Sequence, residues 1–199
     1  MTTNRITDIA GLAVGHAHRV DPDARVAGAP EAPDGHGWAS DTGHAEVLLL
    51  SALLWATPAH HDDLADIVGL VRAEDFYVPA HGELFTIIAE LIADGTRRAH
   101  DATTVAHELR RQGRAATLGA ERLTRALVAA TSAGADGIQA RHYAAMVVAD
   151  AYRRRYRAAG DGITHAADHL PEAELWDYMC AHGIALREHR TRLSALRPN

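Results

Sequence analysis

The sequence predicts an all-α protein: a compact five-helix globular subdomain followed by a two-helix antiparallel hairpin. Three observations predict it. From His44 onward, apolar residues recur every three or four positions and almost never alternate. Helix stop and start signals divide this stretch into five short segments. Two longer periodic segments then follow, joined by a short connector, an arrangement that usually packs antiparallel as a hairpin.

The divisions expected are an irregular, Gly/Pro-rich N-terminal segment (1–43), a helical subdomain (44–137), and a hairpin with a C-terminal tail (138–199). The first segment contains Pro22, Pro30 and Pro33 and few large apolar residues, too few to offset the entropy of ordering it. A short strand is expected only at Leu12–Val14.

The first helix, Ala45–Trp55, is apolar nearly all round, as a buried helix should be. The second covers Asp62–Val71, with Leu64, Ile67, Val68 and Val71 on one face. Pro79 suits the first turn of a third helix, whose face is Leu84, Phe85, Ile88, Leu91 and Ile92, and Gly95 follows as a stop. Asp101 or Thr103 caps a fourth helix that Gly113 closes. A fifth runs from about Ala120 to Ala130. The hairpin helices are Ile138–Ala159 and Pro171–Leu193, with Gly160–Leu170 as connector. Trp55 and Phe85 are expected in the core, and Cys180 as a small buried residue.

Composition excludes several classes. The 199 residues carry a formal net charge of -6, whereas a general nucleic-acid binder is usually basic. Only residues 141–199 lean basic, with 9 Arg against 7 acids. No apolar run reaches the ~18 residues of a membrane helix, and no basic stretch followed by an apolar core opens the chain. A lone cysteine fits a reducing, cytoplasmic setting.

Candidate chemistry is sparse. His16-Ala17-His18 lacks further metal ligands. His60-His61-Asp62-Asp63 could begin a metal site, but adjacent helical residues diverge by about 100°, so helix capping is the better reading. Neither supports more than a remote metal-dependent hydrolase. Arg153-Arg154-Arg155-Tyr156-Arg157 is the basic cluster. It reads first as a solvated helix end, and second as a contact for phosphate or an acidic partner through Arg153, Arg154, Arg155 and Arg157, which would make the protein a DNA-binding accessory.

Several pieces, taken in order, resemble the N-terminal domain of DnaB-type replicative helicases. They are Ala45-Glu46 running into Leu48–Leu54; Glu74-Asp75-Phe76-Tyr77 followed by Pro79, His81 and Leu84-Phe85; Asp101, Thr103 and Thr104; Glu108-Leu109 and Gln112-Gly113; Leu118-Gly119; and Tyr143-Ala144, Val147-Val148 and Arg153-Arg154-Arg155. The resemblance implies domains that pair, form a collar on a hexameric ring and contact primase and loading proteins. A Walker A loop needs a lysine to reach the terminal phosphate, and all 20 basic residues here are arginine. The expectation is a non-catalytic interaction and oligomerisation module without cofactors or metal, an adaptor or regulator in DNA replication. Its partners would be further copies of itself, as a dimer or a ring of dimers, and a replicative helicase, primase or loader, with weak or no nucleic-acid binding and no membrane. The self-association surface expected on the hairpin comprises Tyr143, Val147, Ala151, Tyr152, Trp176 and Met179.

Overall fold

The computed structural model describes residues 37–57, 61–94, 100–114 and 119–197, with backbone alone for 37–42, 61 and 62. The strand expected at Leu12–Val14, the His16/His18 pair and His60 lie outside these residues. Seven α-helices and no strand are present among the described residues: α1 Gly37–Trp55, α2 His61–Leu70, α3 Pro79–Ala93, α4 Ala102–Arg111, α5 Ala120–Ser132, α6 Ala140–His169 and α7 Glu172–Leu196. Single 3-10 turns at Ala73–Asp75 and Gly137–Gln139 precede α3 and α6. None of these helices is long and apolar enough to cross a membrane.

α1 is the central helix. Leu49, Leu50, Ala52 and Leu53 are fully buried, because α3, α5 and α6 all pack around it. It begins at Gly37, so part of the segment expected to be irregular is helical. No proline lies between Pro33 and the end of α1, and a nucleated helix extends upstream at one hydrogen bond per residue until something blocks it. Trp55, expected in the core, is 61% exposed. It ends α1, where its indole N–H reaches the Thr131 carbonyl at 3.4 Å.

α3 lays Leu84, Phe85, Ile87, Ile88, Leu91 and Ile92 into the core. Pro79 stands in its first turn as expected. Gly82 lets this turn slide beneath the 3-10 turn, since a Cβ there would sit 2.6 Å from the Ala73 carbonyl oxygen. Asp101 caps α4, accepting the N–H groups of Thr103 at 2.8 Å and Thr104 at 3.0 Å. α5 buries Leu123, Ala126 and Ala130.

The connector expected at Gly160–Leu170 is helix instead; α6 runs unbroken to His169, and the turn is Leu170 and Pro171 alone. Two glycines in a helix cost about 1 kcal/mol each against alanine, which the surrounding alanines and the partner helix outweigh. Gly162 is also where α7 comes close: a Cβ there would lie 2.9 Å from the Tyr178 hydroxyl. Pro171 then enforces the reversal.

Candidate functional site

Glu74-Asp75-Phe76-Tyr77 forms the junction between the globular subdomain and the hairpin. Asp75 is fully buried. Its carboxylate accepts the Arg72 backbone N–H at 2.8 Å, Arg192 Nη1 at 2.5 Å and Nη2 at 3.0 Å, and lies 3.0 Å from His189 Nε2. The Arg192 guanidinium also donates to the Leu70 carbonyl at 2.8 Å. These contacts fasten α7. Arg154 Nη2 donates to the Asp75 carbonyl at 2.5 Å and its guanidinium lies 5.7 Å from the Tyr77 ring centroid, within cation–π range. Arg155 pairs with Glu74 at 2.8 Å. These fasten α6. Phe76 turns inward against Phe85, with ring centroids 5.1 Å apart.

Electrostatics fit that geometry. Burial raises the Asp75 pKa, but the Arg192 hydrogen bonds, the Arg72 N–H and the charges of Arg192 and His189 together outweigh it and hold the carboxyl below its ordinary 3.8. Burial first, and the adjacent Arg192 charge second, push His189 below 6.5 against the pull of Asp75. In both cases the unfolded chain binds protons more readily than the folded one, so stability falls on acidification. We expect a first loss as pH drops through 6.5, where unfolded His189 protonates, and a second below 3.8, where unfolded Asp75 does. Urea midpoints across pH will check this. The first loss should shrink in His189→Gln, and a variant as pH-sensitive as the parent between about pH 7 and 5 would refute the assignment.

The structure redistributes the residues read as a self-association surface. Val147 and Ala151 are each 1% exposed, and that is a correction: they occupy the inward face of α6, which the packing of α6 against α1 and α7 covers. Tyr143 is half-buried against the core and its hydroxyl donates to Gln139 at 2.8 Å. Tyr152 is half-buried with its ring edge-on to Tyr156 at 6.1 Å. Trp176 and Met179 are exposed, as are Tyr156, Ile163 and Ile184.

The basic cluster also divides. It sits mid-helix, not at a helix end. Arg154 and Arg155 are committed to the Asp75 junction, while Arg153 and Arg157 face solvent. Cys180 is half-buried. Asp63 binds Arg141, tying α2 to α6. Among the described residues, no three His, Cys, Asp or Glu side chains are grouped to hold a metal.

A second buried pair lies outside the hairpin. The Glu46 carboxylate on α1 accepts the backbone N–H groups of Tyr77 and, at 3.3 Å, Val78, and lies 2.8 Å from His81 Nδ1. Sequence reasoning quoted Glu46, Asp75 and His81 without giving them partners, and missed His189 and Arg192. The signal for the last two is their three-residue spacing on the same stripe as Leu193 and Leu196.

With this arrangement in view, the comparisons are specific. A family model described as the DnaB-like helicase N terminal domain matches residues 40–149. The chain is 34% identical over 102 residues to the replicative DNA helicase DnaB of Mycobacterium leprae (strain TN), covering 51% of this chain and 16% of that protein. It is 32% identical over 116 residues to the replicative DNA helicase DnaB of Leifsonia xyli subsp. xyli (strain CTCB07), covering 58% and 24%. It thus spans less than a quarter of the length of either helicase. It is also similar to the crystal structure of the N-terminal domain of DnaB helicase from Mycobacterium tuberculosis. The TM-score is 0.60 at 30% identity, over 72% of this chain and 95% of that one.

Proposed function

From its membership of the DnaB-like helicase N-terminal domain family, to which this chain belongs, we propose that it is a non-catalytic oligomerisation and protein-interaction module, an adaptor or regulator in DNA replication. The observation that carries this reading is the apolar surface on the distal hairpin. On α6, Tyr156 and Ile163 are exposed at helical spacing. On α7, Trp176 is 67% exposed, Ile184 57% exposed and Met179 41% exposed. A pair of helices that closes on itself through Ala159, Gly162 and Ala166 leaves these side chains uncovered. Apolar groups grouped in this way on a folded surface mark an interaction site.

The proposed occupant is a second copy, giving a two-fold dimer or a ring built from dimers. A replicative helicase, primase or loader is the corresponding hetero-partner. Weak nucleic-acid binding accords with the net charge of -6 and with the commitment of Arg154 and Arg155 to intramolecular contacts.

Sedimentation over a concentration series tests the reading. Trp176→Asp should weaken self-association by about 2–4 kcal/mol, the range of a buried aromatic anchor, while circular dichroism stays helical. A wild type that is strictly monomeric at high micromolar concentration would remove the self-association claim.

A further inference from the structure

A cavity of about 480 Å³ opens between the first turn of α3 and the outer side of α5. Its floor is Val78, Pro79, Ala80, Ala126 and Ala129, and its polar groups are His81, Arg122 and Arg125. No acidic side chain is among its described lining residues, which runs against the chain's net charge of -6. The His81 side chain is 10% exposed, and its Nδ1 is held 2.8 Å from Glu46. Glu46 is 1% exposed and also holds the N–H groups of Tyr77 and Val78, so it is fully occupied. Nε2 is therefore the ring nitrogen left for a ligand, and it is not among the sealed-off, unpartnered atoms of the interior. Arg122 is exposed and makes no ion pair among the described residues, and Arg125 holds only Glu121, in a solvent-screened pair at 2.7 Å.

The geometry points to a second binding site in which His81, oriented by Glu46, joins Arg122 and Arg125 to receive the carboxylate of an acidic residue. The apolar floor takes that residue's hydrophobic neighbour. The occupant is a short acidic-apolar peptide segment of a partner protein. Charge complementarity selects the carboxylate, since the Arg122 and Arg125 guanidiniums line the cavity and no acidic side chain is among its described lining residues. The floor selects the peptide. A bare anion would leave five apolar residues uncovered, and the cavity is of the size that holds a ligand larger than an ion. With no Phe, Tyr or Trp among the described lining residues, these residues give a nucleotide base no stacking platform.

The site shares no residue with the hairpin surface, so it stands or falls independently of the self-association reading. The test uses the full chain labelled with ¹⁵N-histidine and titrated with the blocked tripeptide Leu-Glu-Leu, its Leu-Gln-Leu counterpart, acetate and inorganic phosphate. The expected result is a saturable displacement of the His81 ring nitrogen signals. The glutamate peptide should bind at least tenfold more tightly than the glutamine peptide. Arg122→Ala with Arg125→Ala should cost a further tenfold without changing the melting temperature, because both side chains lie at the surface. Equal binding of the two peptides, or no saturable His81 response at millimolar peptide, would overturn the proposal. So would acetate or phosphate binding as tightly as the glutamate peptide, which would make this a small-anion site.

Discussion

Asp75→Ala should lower the unfolding free energy by about 3–5 kcal/mol, the usual consequence of removing one partner from a buried ion pair. The carboxylate is fully buried and Arg192 is only 9% exposed. Once Asp75 is gone, the guanidinium keeps the Leu70 carbonyl at 2.8 Å and the His189 ring at 2.9 Å but no counter-charge, in a buried site. His189 and the Arg72 N–H lose the same acceptor. Arg192→Met alone should be similarly damaging, because it leaves the buried carboxylate with the Arg72 N–H and His189 but without its guanidinium counter-charge. The double variant Asp75→Ala with Arg192→Met should recover part of the loss, since neither charge is then left unpaired. Urea denaturation at neutral pH measures all three. A single-variant loss below about 1 kcal/mol would mean that water reaches the junction and that it does not fasten the hairpin.

Glu46→Ala should be the next most costly change, at about 3 kcal/mol, because each stranded buried polar group costs roughly 1–3 kcal/mol. It strands the Tyr77 and Val78 N–H groups and His81 Nδ1 together. Glu46→Gln keeps one oxygen acceptor and should lose less. Because Asp75 and Tyr77 are two residues apart on one short segment, the Asp75 and Glu46 losses should fall short of additive. Thermal melts of the single and double variants will show this. Full additivity would indicate that α1 and the hairpin grip the segment independently.

How far the fold was legible follows from what each element depends on. Helices α2 to α5 were readable because their signals are local: Pro79 at a first turn, Asp101 at a cap, apolar residues at three- and four-residue spacing. The length of α6 was not, because Gly160 and Gly162 resemble a break until α7 is known to lie against Gly162. Trp55 was misread for a related reason. Hydrophobicity marks a residue as suited to the interior, but the end of α1 runs out of neighbours there. Val147 and Ala151 show that periodicity identifies a face without naming what covers it. The Asp75 site was legible only as a motif. Its main partners, His189 and Arg192, lie more than a hundred residues along the chain, and no local pattern carries that separation. The Arg153–Arg157 cluster likewise gave its charge to the eye and concealed that two members point inward.

The placement of the Asp75 junction has a mechanical consequence. Both hairpin helices are gripped near their base, α6 at Arg154 and Arg155 and α7 at His189 and Arg192. From Tyr156 to Leu186, only Ala159 and Ala166 are buried. The hairpin is a cantilever with its clamp at Asp75. The free length of α6 from Tyr156 to His169 is about 20 Å at 1.5 Å per residue. A tilt of about 5° at the clamp carries the tip by nearly 2 Å on that lever. A load applied at the tip is delivered as torque on the side chains at Glu74 and Asp75 and on the buried face that α6 lays along α1, so the resistance of the arm to bending is set by that anchorage as well as by its own length.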